Sequence, residues 1–261
     1  MTQEPSRTAD ALGVPVEFDA VVLAAGKGTR MRSELPKVLH EAAGAPLLEH
    51  VLRALRPVRP ATTVVIVGHG SALVRERFAD SGVEFAEQRE LLGTGHALLQ
   101  AAPALRGSRR PVLVLNGDGP LITPATIARL ARTQGAERGM TLLSCRVSRP
   151  KGLGRIVRSA AGTIAGIVEE KDADEAQLAI DEINPGIYAF DADVFELCTR
   201  LGNDNAAGEY YITDLIELYL AAGLPVRGVE VADETEILAV NDAVELARAD
   251  EALRRRARPA A

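Results

Sequence analysis

The segment Leu23–Lys37, "LAAGKGTRMRSELPK", sets Gly26 and Gly28 beside Lys27, Arg30, Arg32 and Lys37, directly after the apolar run "DAVVLAA". Glycines let main-chain amides approach a ligand closely, and fixed cations beside them neutralise an anion. This is chemistry for phosphate, and three kinds of loop could use it. A P-loop, G-x-x-x-x-G-K-[ST], needs a hydroxyl after its lysine, but Gly28 follows Lys27. A dinucleotide fingerprint, G-x-G-x-x-G, needs a third glycine for close helix packing, and Met31 stands in its place. In the third, Gly26 and Gly28 admit a triphosphate to the main chain, Arg30 and Lys37 bring charge to it, and Pro36 stiffens the segment carrying Lys37. An ordinary strand-to-helix loop with solvated basic residues is the alternative at this point.

The elements that must hold this loop follow a clear rhythm. Apolar, β-branched runs occur at 20–24, 62–67, 111–115, 140–143 and 183–189. Helical patterns lie between the early ones: "PLLEHVLRAL", "SALVRERFA", "GTGHALLQAAPAL" and "TPATIARLART". Near-continuous apolar strands alternating with amphipathic helices predict βαβ units and a parallel sheet covered on both faces. Such sheets bind ligands beyond the carboxyl ends of their strands, where the Gly26 loop sits. From about residue 150 the rhythm changes. Two short strands flank a turn near Ala160–Gly162, a helix runs through "ADEAQLAI", and helices resume at "GEYYITDLIELYLAAG" and "NDAVELARADEALRRR". One sheet-based domain over 19–255 is expected, with a leader over 1–18 and a tail over 256–261.

Composition narrows the classes. The 261 residues are 47% hydrophobic and 25% charged, those of an ordinary globular protein, and a chain of this length buries roughly 70–75% of its unfolded surface without a metal or disulfide staple. Aromatics are 3% and Trp is absent, so the core is Ala, Leu, Val and Ile. A net charge of −6 argues against a nucleic-acid or membrane-surface partner, and the basic "LRRRARPAA" reads as a solvated tail. Cys145 and Cys198 show no metal-ligand spacing, which predicts reduced structural thiols in a cytoplasmic protein. No signal peptide or spanning run is visible.

"GKGTRM…LPK" resembles the signature of sugar-phosphate nucleotidyltransferases. "LPKVLHEAAGAPLLEHV", "QRELLGTGHALLQAAP", "NGDGPLIT", "GLGRIV", "IVEEKDA", "EINPGIY", "NDNAAGEYYITDLI" and "EILAVNDAVELA" follow in the order of one family. From about residue 19 to 250 the chain is similar to the uridylyltransferase domain of N-acetylglucosamine-1-phosphate uridylyltransferases. The resemblance implies a Rossmann-like α/β fold of the nucleotide-diphospho-sugar transferase type. Its mixed, mainly parallel sheet is flanked by helices, with a nucleotide half over about 19–145 and a sugar half over about 146–240. It implies attack by N-acetylglucosamine 1-phosphate on the α-phosphorus of UTP, releasing pyrophosphate, with Mg²⁺ as cofactor.

The same resemblance assigns roles. Main chain at Leu23, Ala24, Ala25 and Gly26 holds the nucleotide, and Arg30 and Lys37 act on the phosphates. Gln88 reads the uracil edge, while Gly93 and Thr94 close over the base; His96 lies beside them, and by our own reading it is structural rather than catalytic. Asp118, ending "PVLVLNGD", and Asn241 in "AVND" are the metal ligands. By residue type alone, Asp118 reads equally as a turn former and Asn241 as a helix N-cap, a role compatible with metal binding. Asn116 and Gly117 floor the pocket, Gly154, Glu169 and Asn184 contact the sugar, and Tyr211 and Thr213 line the acetamido pocket. Three departures stand out. Gly119 replaces a valine, and Pro185 replaces a threonine after Asn184. The hexapeptide repeats of the family's left-handed β-helix are missing, so acetyl transfer and the β-helix trimer are not expected. Another sugar 1-phosphate or nucleotide is the alternative within the class, and a non-catalytic nucleotide-sugar sensor the alternative outside it.

Overall fold

The computed structural model describes residues 12–13, 17–150 and 152–257. Its first half is built on β1 (Asp19–Ala24), a hairpin of β2 (Glu41–Ala42) and β3 (Ala45–Pro46), and α1 (Leu47–Leu55). There follow β4 (Thr62–Val67), α2 (Ser71–Arg77), β5 (Glu84–Glu87), α3 (Thr94–Leu99), β6 (Val112–Asn116) and α4 (Pro124–Gln134). The second half contains β7 (Met140–Arg146), β8 (Gly154–Arg158), β9 (Ile164–Val168), α5 (Glu175–Leu178), β10 (Glu182–Asn184), β11 (Tyr188–Phe190) and α6 (Val194–Cys198). It ends with α7 (Leu215–Ala221), β12 (Val226–Val231) and α8 (Ala243–Ala257). Among the described residues no helix is long and apolar enough to cross a membrane.

The main sheet runs β5-β4-β1-β6-β11-β7-β10-β8-β9, with β12 on the free edge of β7. β5, β4, β1 and β6 are parallel, whereas β11 is antiparallel to both β6 and β7. Alternate residues of β1 face opposite cores: Ala20, Val22 and Ala24 meet α1 and α4, while Val21 meets α3, α6 and α7. This is the doubly covered sheet that continuous apolar runs require. Chain order reverses at β1, whose neighbours are β4 and β6, so the ligand crevice opens where β1 and β6 end. Local signals fit: Thr123 caps α4 by accepting from the Thr126 amide at 3.2 Å, with Pro124 at the first position, and Asp174 and Gln177 form a capping box on α5.

Four expectations need revision. The strand expected over 183–189 is two strands, because Pro185 brings no N–H and Asn184 Oδ1 turns back to accept from the Gly186 amide at 3.1 Å. The helix expected from Gly208 begins at Leu215, after a 3-10 turn over Ile212–Asp214. β5, β12 and α6 were not foreseen, being short or charged. The basic "LRRR" is the last turn of α8 rather than a tail: Arg254 and Arg255 pair with Asp250 and Glu251 one turn back, and Arg256 donates to the Leu121 carbonyl at 2.5 Å. Most of the expected leader and residues 258–261 lie outside the described residues, but Phe18 is buried and Leu12 packs on the same core.

Candidate active site

The Gly26 loop leaves β1 at the crevice, and Gly26 is exposed with nothing within 4 Å of where a Cβ would stand. Its main chain is therefore open to a ligand. Leu23 O is already taken by the Gly117 amide at 2.9 Å, tying the loop to the end of β6. Gly28 has φ +59°, and a Cβ there would stand 2.7 Å from Lys37 Cβ. The chain thus folds back so that the Lys37 stem lies along Gly28, which only glycine allows. Arg30 is exposed in a 3-10 turn over Thr29–Met31. With Asn241, Leu153 and Pro185 it borders a cavity reaching from the loop towards the second half.

Lys37 Nζ donates to Asn241 Oδ1 at 3.1 Å and forms an ion pair with Asp118. Residues 81 and 204 positions away thus meet one amine. Asp118 gets there at the end of β6, and its carbonyl accepts from the Val240 amide at 2.9 Å, which docks the returning chain beside it. Val240 is buried with Ala42, Leu47, Leu121 and Ala249. The Asn241 amide is oriented by donating to Ala239 O at 3.3 Å, leaving Oδ1 towards Lys37. The cap of α8 is Asp242, whose Oδ1 accepts from the Val244 and Glu245 amides at 2.9 and 2.8 Å. The N-cap reading of Asn241 is therefore replaced: the neighbouring aspartate caps, and the asparagine side chain is free for the crevice. A carboxylate and an amide oxygen already converge on one cation, and both are hard donors. No cluster of three or more His, Cys, Asp or Glu exists among the described residues. Two hard oxygen donors suit Mg²⁺, which is commonly held by one or two carboxylates and shares its other positions with water and substrate phosphate.

Gln88 is buried at the end of β5, donating through Nε2 to Gly93 O at 2.9 Å and to His96 Nδ1 at 3.1 Å. Both N–H groups are thereby engaged and Oε1 is left as an acceptor. His96 supports Gln88, in keeping with a structural role. Gly93 has φ +108°, and a Cβ there would lie 2.6 Å from Tyr210 O. The clash lies in main chain, since Tyr210 N donates to Leu92 O and Gly95 N to Tyr210 O, both at 2.8 Å. Thr94 Oγ1 accepts from the Ile212 amide at 3.0 Å. "GTGHA" and "EYYIT", assigned separately to nucleotide and sugar, are thus joined in one seam.

The second half meets this crevice at the break between β10 and β11. Asn116 Nδ2 donates to Pro185 O at 2.9 Å, and Asn184 Nδ2 to the buried Tyr188 hydroxyl at 2.7 Å. Gly154 pairs with Asn184 across the sheet, and the Glu169 carboxylate lies 3.4 Å from where a Gly154 Cβ would be. Burial, reinforced by Asp172 and Asp214, holds the Glu169 carboxyl above the usual range. Asp214 is raised by burial, with Glu217 and Asp172 adding to it. Tyr211 is half-buried near these acids, and Thr213 is buried. At Gly119 the nearest atom to an added Cβ is Asn116 O at 3.6 Å, so a larger residue would fit. Cys145 and Cys198 are unpaired and buried, their thiols pushed up to about 11 and about 12, as inert structural cysteines require.

A family model described as the MobA-like NTP transferase domain matches residues 20–208. The chain belongs to this family. Among curated relatives of the transferase, the bifunctional protein GlmU of Streptococcus suis (strain 98HAH33) is 46% identical over 239 residues, 91% of this chain and 52% of the relative. GlmU of Heliobacterium modesticaldum is 47% identical over 92% of this chain and 52% of the relative, and that of Cupriavidus taiwanensis 48% over 89% and 51%. The chain spans about half the length of the curated relatives it matches. A solved UDP-glucose pyrophosphorylase complexed with UDP-glucose aligns with TM-score 0.76 at 17% identity, covering 92% of this chain and 99% of that one. A Bacillus anthracis protein assigned as a glucose-1-phosphate thymidylyltransferase aligns with TM-score 0.74 at 21% identity, covering 94% and 98%. These two likenesses establish the nucleotidyltransferase fold. In this NTP transferase, the geometry brings Lys37, Asp118 and Asn241 into direct contact and links Gln88, Gly93 and Thr94 through the seam. The residues that sequence reading missed are main-chain partners, Tyr210 above all, whose only outward sign was the invading glycine at 93.

Proposed function

We propose that the transferase makes UDP-N-acetylglucosamine and pyrophosphate from UTP and N-acetylglucosamine 1-phosphate. The observation carrying this reading is the meeting of Lys37, Asp118 and Asn241 beside an open glycine loop, in a chain close to half of the GlmU relatives. A phosphate oxygen of the sugar phosphate attacks the α-phosphorus in line, and the bond to the pyrophosphate oxygen breaks. No protein nucleophile is needed, so positioning and charge neutralisation supply the catalysis. The Leu23–Gly26 main chain holds the nucleotide, Arg30 stabilises the departing pyrophosphate, and Lys37 neutralises the transferred phosphate. Gln88 offers Oε1 to the uracil N3–H, a donor that cytosine lacks. Asp118 and Asn241 would hold Mg²⁺, which when bound neutralises phosphate oxygens as a Lewis acid.

In the sugar half Glu169 accepts from sugar hydroxyls, with Asn184 and the Gly154 main chain beside it, and Asn116 and Gly117 flooring the pocket. Tyr211 and Thr213 line the acetamido group. The unpaired thiols support a cytoplasmic setting. The decisive experiment is pyrophosphate release across a panel of nucleotides and sugar 1-phosphates. UTP with N-acetylglucosamine 1-phosphate is expected to lead; a strong preference for glucose 1-phosphate would move the assignment to another sugar, for which the Pro185 departure is the structural motive. No turnover with any pair would leave the sensor reading.

A further inference from the structure

Lys37 is asked to serve a substrate phosphate, yet two of the three N–H donors of its amine go to the two oxygens proposed as metal ligands. An ammonium resting on those oxygens opposes a divalent cation there, because the two positive charges repel and Mg²⁺ needs the oxygens at about 2.0–2.1 Å. Among the described residues, Asp118 and Asn241 are the groups on which the amine rests. Both Lys37 and Asp118 keep some exposure to the crevice, with side-chain accessibilities of 15% and 16%, so the amine has a way out. Its stem lies over Gly28, where an added Cβ would be 2.7 Å from Cβ, 3.4 Å from Cγ and 3.5 Å from Cδ of the lysine. The missing Cβ of Gly28 is what leaves this space to the stem.

We infer that Lys37 is a tethered placeholder cation: it keeps Asp118 and Asn241 together when no divalent ion is held, and is released towards the phosphate only when one arrives. The inference rests on the reading of Asp118 and Asn241 as metal ligands. Metal loading and arming of the lysine are then one event, so an unloaded protein presents an incomplete charge set to its substrate. The placeholder also competes with the metal, since apparent affinity falls by the fraction of time the ligands are free.

The test uses the full chain without nucleotide and Mn²⁺ as the spectroscopic probe, with free Mn²⁺ read by electron paramagnetic resonance. Lys37→Met should bind Mn²⁺ about fivefold or more tightly than the unaltered protein, while Asp118→Asn should lose binding. A second measurement needs no variant. Under limited reductive methylation read by mass spectrometry, Lys37 should be protected relative to the exposed Lys27 and Lys171 and become reactive when Mn²⁺ is added. Equal or weaker Mn²⁺ binding by Lys37→Met, or labelling of Lys37 indifferent to Mn²⁺, would overturn the placeholder while leaving the metal site standing. Undiminished binding by Asp118→Asn would remove the metal reading itself.

Discussion

Arg30 and Glu169 show how differently two working residues can be held. Arg30 is exposed, so Arg30→Ala should leave the melting temperature nearly unchanged. Its charge is proposed to act on the developing pyrophosphate, and losing such a group typically costs about 10²–10³ in kcat. A change confined to KM would make Arg30 a ground-state binder instead. Glu169 is half-buried among acids and is held above the usual carboxyl range chiefly by burial. A raised acid takes up protons on folding, so its penalty is absent below the unfolded pKa of about 4.3 and complete once pH passes the folded value. Glu169→Gln should therefore raise the melting temperature at pH 7 and lose that advantage near pH 4. It should also raise KM for the sugar phosphate about tenfold, the cost of a hydrogen bond to charge; unchanged KM would remove Glu169 from the sugar pocket.

Among the elements, the seam between residues 92–95 and 210–212 carries the sharpest prediction. Gly93→Ala would place a methyl 2.6 Å from Tyr210 O at φ +108°, costing about 3 kcal/mol. For a chain of this size that lowers the melting temperature by about 6–12 °C; a normal melt would show that the seam can yield. The parallel half was legible because buried strands must be continuous apolar runs, and those runs marked β1, β4 and β6 to within a residue or so. The seam was not, because its partners lie over a hundred positions apart and most are peptide groups, which every residue owns. The break at Pro185 was written in the sequence as "NPG", but the apolar residues around it read as one strand. Likewise Asn241 and Asp242 are both cap formers, and only the fold decides that the second one caps.

For the molecule as a whole, the late return of the chain is what completes the crevice. α8 is fastened at its middle and in its last turn: Asp250 Oδ1 accepts from the Ala43 amide at 2.7 Å, and Arg256 reaches Leu121 O. Ala43 sits at φ +49° in the β2–β3 turn, so that amide is held by a residue far along the chain. Asp250→Ala should loosen this fastening, lowering the melting temperature slightly and weakening Mn²⁺ binding a few-fold; identical Mn²⁺ affinity would show that Asn241 is placed without this contact. The role of this return was invisible to local patterns, which showed a helix without saying where it docks. The seam has an optical side as well. The chain has no Trp and four Tyr, of which Tyr188 and Tyr219 are fully buried while Tyr210 and Tyr211 are half-exposed. Dissolved iodide can reach only the pair on the seam, so the quenchable part of the protein's ultraviolet emission is a native gauge of whether a ligand covers that seam.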